Sequence, residues 1–273
     1  MPEFTAETRL LAVIGSPVRH SLSPRVHGEF LRRAGLEGRY AYLAFEVTPE
    51  TLPAFAAGAR AMGMAGFNVT MPLKEPIAPL LDGLDESVRD GAVNTVFERE
   101  GRLYGANTDG RGFVMSLSWE GRPLPERAML LGAGGSARVI AAALLEAGVG
   151  VTAASRRAAR FPIRDERLRY CSWDEFPALL PGHDLLINAT PLGMEGAGKG
   201  DFADFGFLDA LPRGAAVYDL IYAPRRTNLL EQAQARGLAV RNGLAHLVCQ
   251  AALSFAYFTG ETADARAVYA RLF

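Results

Sequence analysis

The stretch AMLLGAGGSARVIAAALLEAGVGVTAA, residues 128–154, decides the fold of this chain. Its apolar opening, 128–131, has the length of a buried strand. Gly132-Ala133-Gly134-Gly135-Ser136 follows as a turn, a helix runs from there through Leu145, and 149–154 reads as a second strand. Glycines at a turn between strand and helix let the backbone approach a pyrophosphate at the helix N-terminus, the layout of a Rossmann unit. The spelling G-A-G-G-S-A departs from G-x-G-x-x-G, so the context carries more of the reading than the motif does. A tight βα connection and a turn built for S-adenosylmethionine are the competing readings.

The end of the second strand discriminates between nucleotides. An NAD site usually places Asp or Glu there to accept from the ribose 2′-hydroxyl. Here the strand runs into Ser155-Arg156-Arg157, and no acid appears until Asp165. A hydroxyl and two guanidiniums suit a 2′-phosphate, which Arg grips in bidentate fashion. NADP is therefore the expected cofactor, against the alternative of a solvated Arg pair in an Arg-rich protein.

Outward from this unit, apolar runs alternate with amphipathic stretches along the whole chain, the pattern of βα units around mainly parallel sheets. Before it, strands are expected at 10–14, 40–45, 66–69, 93–97 and 103–106, with a turn at Glu100-Gly101 and helices near 24–34, 49–62 and 75–81. Ser23 followed by Pro24 reads as an N-cap and first helical position. A polar stretch with Gly121, Pro123 and Pro125 marks a boundary after a short helix at 112–119. Beyond the unit, strands are expected at 184–188, 215–219 and 238–241, with helices at 227–236, 244–258 and 263–272.

The chain has 273 residues, enough for two domains with a core each. With 29 Lys+Arg against 30 Asp+Glu, it lacks the basic excess of a general nucleic-acid binder. No apolar run approaches a membrane span. Two cysteines, Cys171 and Cys249, make neither a metal-ligand spacing nor a disulfide framework, so a cytoplasmic setting is expected, and no metal site. Of the 29 basic residues only Lys74 and Lys199 are lysines. Arg is effectively never deprotonated, whereas a Lys ammonium exchanges its proton. Composition alone leaves open whether either lysine is kept for that reason.

Polar clusters fall at strand ends, where open α/β sheets bind ligands. They are 15–24 with Ser21 and Ser23, 68–74 with Asn68, Thr70 and Lys74, 91–95 with Asn94, and 105–112 with Asn107 and Asp109. Asparagine is scarce, six in the chain, yet Asn68, Asn94 and Asn107 sit in these clusters and Asn188 in a fifth. Each alone reads equally well as a turn residue. Together they outline a polar pocket.

These clusters, in this order and spacing, resemble those of the shikimate dehydrogenase family across nearly the whole chain. The resemblance is carried by the serine motif, Asn68-Val69-Thr70…Lys74, Gly91…Thr95, Asn107-Thr108-Asp109, the glycine turn, Asn188…Met194, Asp219…Pro224 and Gly243…Gln250. It implies NADP-dependent interconversion of 3-dehydroshikimate and shikimate, on the route to chorismate and the aromatic amino acids. It further implies two α/β domains with a cleft between them: a mainly parallel substrate-binding domain (1–110 plus 243–273) and an inserted NADP-binding Rossmann domain (111–242). By position, Lys74 and Asp109 are the implied catalytic pair. Ser21, Ser23, Thr70, Lys74, Asn94, Asp109, Tyr222 and Gln250 are the implied substrate contacts. Gly132, Ala133, Gly134, Gly135, Ser136, Ala137, Ser155, Arg156, Arg157, Thr190, Leu220 and Gly243 are the implied cofactor contacts.

Two positions depart from the family pattern. Gly28 stands where relatives commonly carry Asn, and His246 where they carry Met, the latter read as a packing residue. Lys74 is expected to exchange the proton at the carbonyl oxygen while Asp109 orients it. A neighbouring carboxylate favours the charged ammonium, whereas a base near neutrality must release its proton, so an electrostatic clamp on the alkoxide is the competing role. A broader quinate/shikimate dehydrogenase using NAD or NADP, and a non-catalytic NADP-binding relative, are the alternative functions. A homodimer is left open.

Overall fold

The alternating pattern folds into two six-stranded sheets. The computed structural model describes residues 3–89, 91–121, 123–156, 161–196, 198 and 200–273. These form two compact units, Met1–Gly112 with Leu247–Phe273, and Phe113–His246.

In chain order the first unit contains β1 (Arg9–Gly15), α1 (Ser23–Arg33), β2 (Tyr40–Glu46), α2 (Leu52–Ala61), β3 (Gly66–Val69), β4 (Gly83–Leu84), β5 (Thr95–Arg99), β6 (Arg102–Ala106) and the start of α3 (Asp109–Leu117). The sheet order is β2-β1-β3-β5-β6-β4. β1 lies parallel to β2 and β3, while β5 is antiparallel to both β3 and β6. Leu11 to Ile14 are buried, which is why β1 reads as a continuous apolar run rather than an alternating one. The β5–β6 hairpin turns on Glu100 and Gly101, both at positive φ (54° and 77°), as a two-residue turn matched to strand twist requires.

Two local expectations are corrected here. α1 starts at Ser23 itself, with Pro24 second and Leu22 as a cap that makes no side-chain hydrogen bond; Ser21 Oγ instead accepts the Ser23 N–H at 3.2 Å. The segment 75–81 forms turns and one 3-10 turn, Ala78–Leu80, rather than an α-helix. Pro79 lacks the N–H that an α-helix there would bond to the Glu75 carbonyl, and its ring clashes with that carbonyl.

The second unit continues with β7 (Arg127–Leu131), α4 (Gly135–Glu146), β8 (Gly150–Ser155), β9 (Leu168–Ser172), α5 (Phe176–Leu179), β10 (Leu185–Asn188), β11 (Ala216–Asp219), α6 (Asn228–Ala235) and β12 (Ala239–Arg241). All pairs are parallel in the order β12-β11-β10-β7-β8-β9. This is the doubly wound order in which strand connection reverses beside the first strand, here β7. Neighbouring residues of β7 serve opposite faces: Ala128 and Leu130 pack with Ile140, Leu144 and Val151, while Met129 and Leu131 pack with Leu186, Val217 and Leu229. The sequence reading missed β9. It is an edge strand that buries Leu168 and leaves Arg169 and Tyr170 exposed, so it carries no apolar run.

The chain ends with α7 (Leu244–Thr259), most of which lies in the first unit, and α8 (Ala265–Leu272). Among the described residues no helix is long and apolar enough to cross a membrane.

Candidate functional site

In the first unit, strand and helix ends gather four of the expected substrate residues. Lys74 follows the cis Met71-Pro72 bond after β3, and Asp109 is the first residue of α3. Lys74 Nζ donates to Asp109 Oδ2 at 2.6 Å, with side chains 20% and 9% exposed. The other carboxylate oxygen accepts the Asn94 side-chain amide at 2.7 Å. The Asp109 backbone N–H donates to Asn107 Oδ1, so the aspartate is fixed at both ends. Asn94 reaches Gln250 Oε1 at 3.4 Å, and Gly112 brings α3 against α7 so closely that a Cβ would lie 2.7 Å from the Gln250 backbone.

Asn94 has no freedom to flip. Its carbonyl oxygen accepts the Thr108 backbone N–H at 2.9 Å, which points its amide nitrogen at Asp109. Behind it lies a buried polar network that sequence reasoning missed. Ser254, one helical turn beyond Gln250 on α7, meets the hydroxyls of Thr95 at 2.7 Å and Thr108 at 3.1 Å and accepts from Asn68 at 3.0 Å. Asn68 in turn accepts the Tyr42 hydroxyl at 2.7 Å. Asn68 and Asn107 thus act as internal braces: Asn107 donates to the Ala92 carbonyl. The signal for Ser254 was available only as a lone hydroxyl on an apolar helix.

Ser21 and Ser23 sit at the N-terminus of α1, where the helix dipole favours a carboxylate. Ser23 also bears on the Tyr42 phenol, whose ionisation burial pushes well up. Thr70 packs its methyl group against Gly15, where any Cβ would overlap it. His27 is fully buried and stacked on Tyr42 at 4.2 Å; burial pushes its imidazole down to about 3, which keeps it neutral and inside the core. Gly28 leaves open space, with nothing within 4 Å of an added Cβ.

In the second unit the glycine turn closes β7 onto α4. Gly132 has φ of 120° and approaches the Ala189 carbonyl, a conformation and a clearance that exclude a side chain. Gly134 caps α4 and would meet nothing within 4 Å with a Cβ, leaving the N–H groups of Gly135, Ser136 and Ala137 at an open helix N-terminus. This cradle fits a pyrophosphate. Ser155 ends β8, and Arg156 beyond it is exposed. Arg157 and Lys199 lie outside the described residues. Thr190 and Leu220 follow the ends of β10 and β11, and Leu220 is pressed by Gly243, where any Cβ would overlap the Leu220 carbonyl oxygen. Tyr222 is mostly buried, which pushes its phenol up. His246 packs its ring edge-on to Phe113 at 5.8 Å, and its backbone N–H donates to the Tyr218 hydroxyl. A cavity of about 560 Å³ opens at the other end of these strands, lined by Leu124, Glu126, Asp184 and Arg241 among others, and none of the expected site residues line it.

Among known proteins, the family described as shikimate dehydrogenase substrate binding domain matches residues 13–96. Shikimate dehydrogenase (NADP(+)) of Acidiphilium cryptum is 42% identical over 263 residues, covering 95% of this chain and 93% of that protein. The crystal structure of shikimate 5-dehydrogenase from Thermus thermophilus in complex with NADP(H) and shikimate superposes with a TM-score of 0.81 at 37% identity, over 96% of this chain and 98% of that one. Ligand-free 5-ketofructose reductase of a Gluconobacter strain matches with a TM-score of 0.81 at 31% identity, over 98% of each chain. A shared fold therefore does not choose the substrate; the side chains do.

Proposed function

The chain belongs to the shikimate dehydrogenase family, and from that premise we propose how its residues divide the work of the reaction. It is an NADP-dependent oxidoreductase acting on a CH–OH group, reducing 3-dehydroshikimate reversibly to shikimate. We assign substrate binding to 1–110 with 243–273, the part overlapping the matched substrate-binding family, and NADP binding to 111–242. Cys171 and Cys249 are thiols not joined in a disulfide, which suits a reducing compartment, so we place the reaction in the cytoplasm.

The single observation carrying the residue roles is the Lys74–Asp109–Asn94 cluster. When bound, NADPH supplies the hydride to the carbonyl carbon. Lys74 donates a proton to the oxygen as charge develops there, and recovers it in the oxidation direction. Asp109 holds the ammonium in one orientation and, with Asn94 and Gln250, offers hydrogen bonds to the substrate hydroxyls. Ser21 and Ser23 take the carboxylate at the start of α1, and Thr70 and Tyr222 complete the contacts. Gly132 to Ala137 would hold the pyrophosphate, Ser155, Arg156 and Arg157 the 2′-phosphate, and Thr190, Leu220 and Gly243 would supply the remaining cofactor contacts.

Following NADP⁺ reduction by nicotinamide absorbance with shikimate and with quinate tests the activity. Turnover should be strong with shikimate and weak with quinate; no signal with shikimate overturns the reading. The 2′-phosphate assignment has its own check. Arg156→Asp should raise the KM for NADP⁺ by about 10- to 100-fold, the worth of one charge-assisted grip, and improve use of NAD⁺. An unchanged KM for NADP⁺ would remove Arg156 from the site.

A further inference from the structure

Asp219 ends β11 with its side chain fully buried, and no step above uses it. A buried carboxylate is costly unless it is hydrogen-bonded, so its partners show what the position serves. Oδ1 accepts the Ile221 backbone N–H and the Asn188 side-chain amide, both at 3.0 Å, and Oδ2 accepts the Thr227 hydroxyl at 2.6 Å. Each partner leads into a different segment. Ile221 stands between Leu220 and Tyr222. Asn188, level with Asp219 in the β10–β11 pairing, accepts both the N–H and the hydroxyl of Thr190, at 3.0 and 2.6 Å. Thr227 caps α6 by accepting the Leu230 N–H.

We propose that Asp219 is a positioning residue for the NADP site: its carboxylate fixes, from inside the sheet edge, the two strand-end loops that carry Thr190 and Leu220 to Tyr222. It acts through those residues and does not touch the cofactor. The proposal rests on the cofactor assignment above and names what holds that assignment in place.

All three partners donate, which suits the ionised carboxylate, an acceptor only, whereas the acid must place a proton of its own among them. Burial pushes the Asp219 carboxyl up to about 6, and the charge of Asp201 acts in the same direction against the bonds from Thr227, Ile221 and Asn188. Among the described residues Asp201 is the charged group bearing on it; Arg226, beside Thr227, is turned to Gln234 on α6. The sign follows. A carboxyl raised in the folded state binds its proton more tightly there than in the unfolded chain, so its contribution to stability is full below its ordinary value and is lost as pH rises through about 6. Above that pH the charge is kept at a cost in stability, while the loops it orders carry the cofactor contacts.

Equilibrium titration with NADP⁺, alongside steady-state kinetics and thermal melting, tests this on the wild type and Asp219→Asn between about pH 5.5 and 8.5. The variant should bind NADP⁺ about tenfold or more weakly near pH 8. The ratio of variant to wild type should approach one as pH falls through about 6, where the wild-type carboxyl takes up its proton; taking the ratio cancels titration of the cofactor's own phosphate, which ionises at about 6. Equal affinities near pH 8, or a ratio constant across the range, overturn the proposal. Should Asp219→Asn fail to fold, Thr227→Ser and Thr227→Val replace it. Serine keeps the donor and the cap, so only valine should weaken NADP⁺ binding, and equal values for the pair overturn the proposal. Wild-type protein that does not bind NADP⁺ refutes the cofactor assignment and this proposal with it, whereas wild-type binding without a difference refutes the proposal alone.

Discussion

Lys74→Met should cut kcat for shikimate oxidation by about 10²- to 10⁴-fold, the range for loss of a positioned acid–base group. Methionine keeps an unbranched chain of similar length and carries neither charge nor exchangeable proton. The position is constrained: the ammonium is 2.6 Å from a carboxylate that is itself only 9% exposed and braced by Asn94. Lys74→Arg then separates two roles. Arginine keeps the cation and its hydrogen bonds but does not give up a proton. Proton transfer predicts that arginine also collapses kcat while the shikimate KM moves only a few-fold. An arginine variant within about tenfold of wild-type kcat would show that Lys74 clamps the alkoxide and that the proton travels another way. Melting curves accompany both variants, because methionine deprives Asp109 of this cation and arginine does not.

The legible parts of this protein are those where one local signal decides the outcome. β7, the glycine turn, α4 and β8 are readable because the apolar period changes from strand to helix across a glycine-rich turn. Gly132, at φ of 120° beside a carbonyl, is the structural counterpart of that reading. β9 was not readable: an edge strand with one buried side chain has no pattern to detect. At 75–81 the apolar spacing suggests a helix, and the missing N–H of Pro79 decides against one. At Ser23 the residue type suggested a cap, while the chain placed that serine one step inside the helix.

The site divides in the same way. Lys74, Asn94 and Asp109 stood out in sequence because they are chemically distinctive residues in polar clusters at strand ends, and the fold brings them into direct contact. Their supports did not stand out. Ser254 meets Thr95 across 159 positions of sequence, and a single serine on an apolar helix has no local signature. Asp219 lay inside a quoted motif, but its importance is visible only when both its oxygens are seen to be engaged by three donors from separate segments. Residues that touch ligands are restricted by chemistry, which sequence displays. Residues that hold those residues are restricted by geometry, which it does not.

Asp109→Asn should lower kcat/KM by about 10²- to 10³-fold through the same cluster, and the reason is a count of donors. Asp109 accepts from Lys74 through one oxygen and from Asn94 through the other. Asparagine has one oxygen, so whichever way its amide turns, its NH₂ group faces a neighbour that also donates. Asn94 cannot turn to relieve this, because the Thr108 backbone N–H holds its carbonyl oxygen. One buried donor is left unpaired, costing about 1–3 kcal/mol, and the ammonium loses the charge that orients it. The double variant Asp109→Asn with Asn94→Asp separates these losses. Its new amide would accept from Lys74 and donate to the new carboxylate, which would still accept from Thr108. The pairing of Lys74, residue 109, residue 94 and the Thr108 N–H is then restored, the longer contact to Gln250 Oε1 is given up, and the charge has moved one residue further from the ammonium. The double variant should therefore recover most of the melting temperature that Asp109→Asn loses, yet only a small part of its activity. Recovery of wild-type turnover would show that Asp109 contributes hydrogen-bond geometry and not charge, and failure to recover stability would show that the donor count does not govern the cluster.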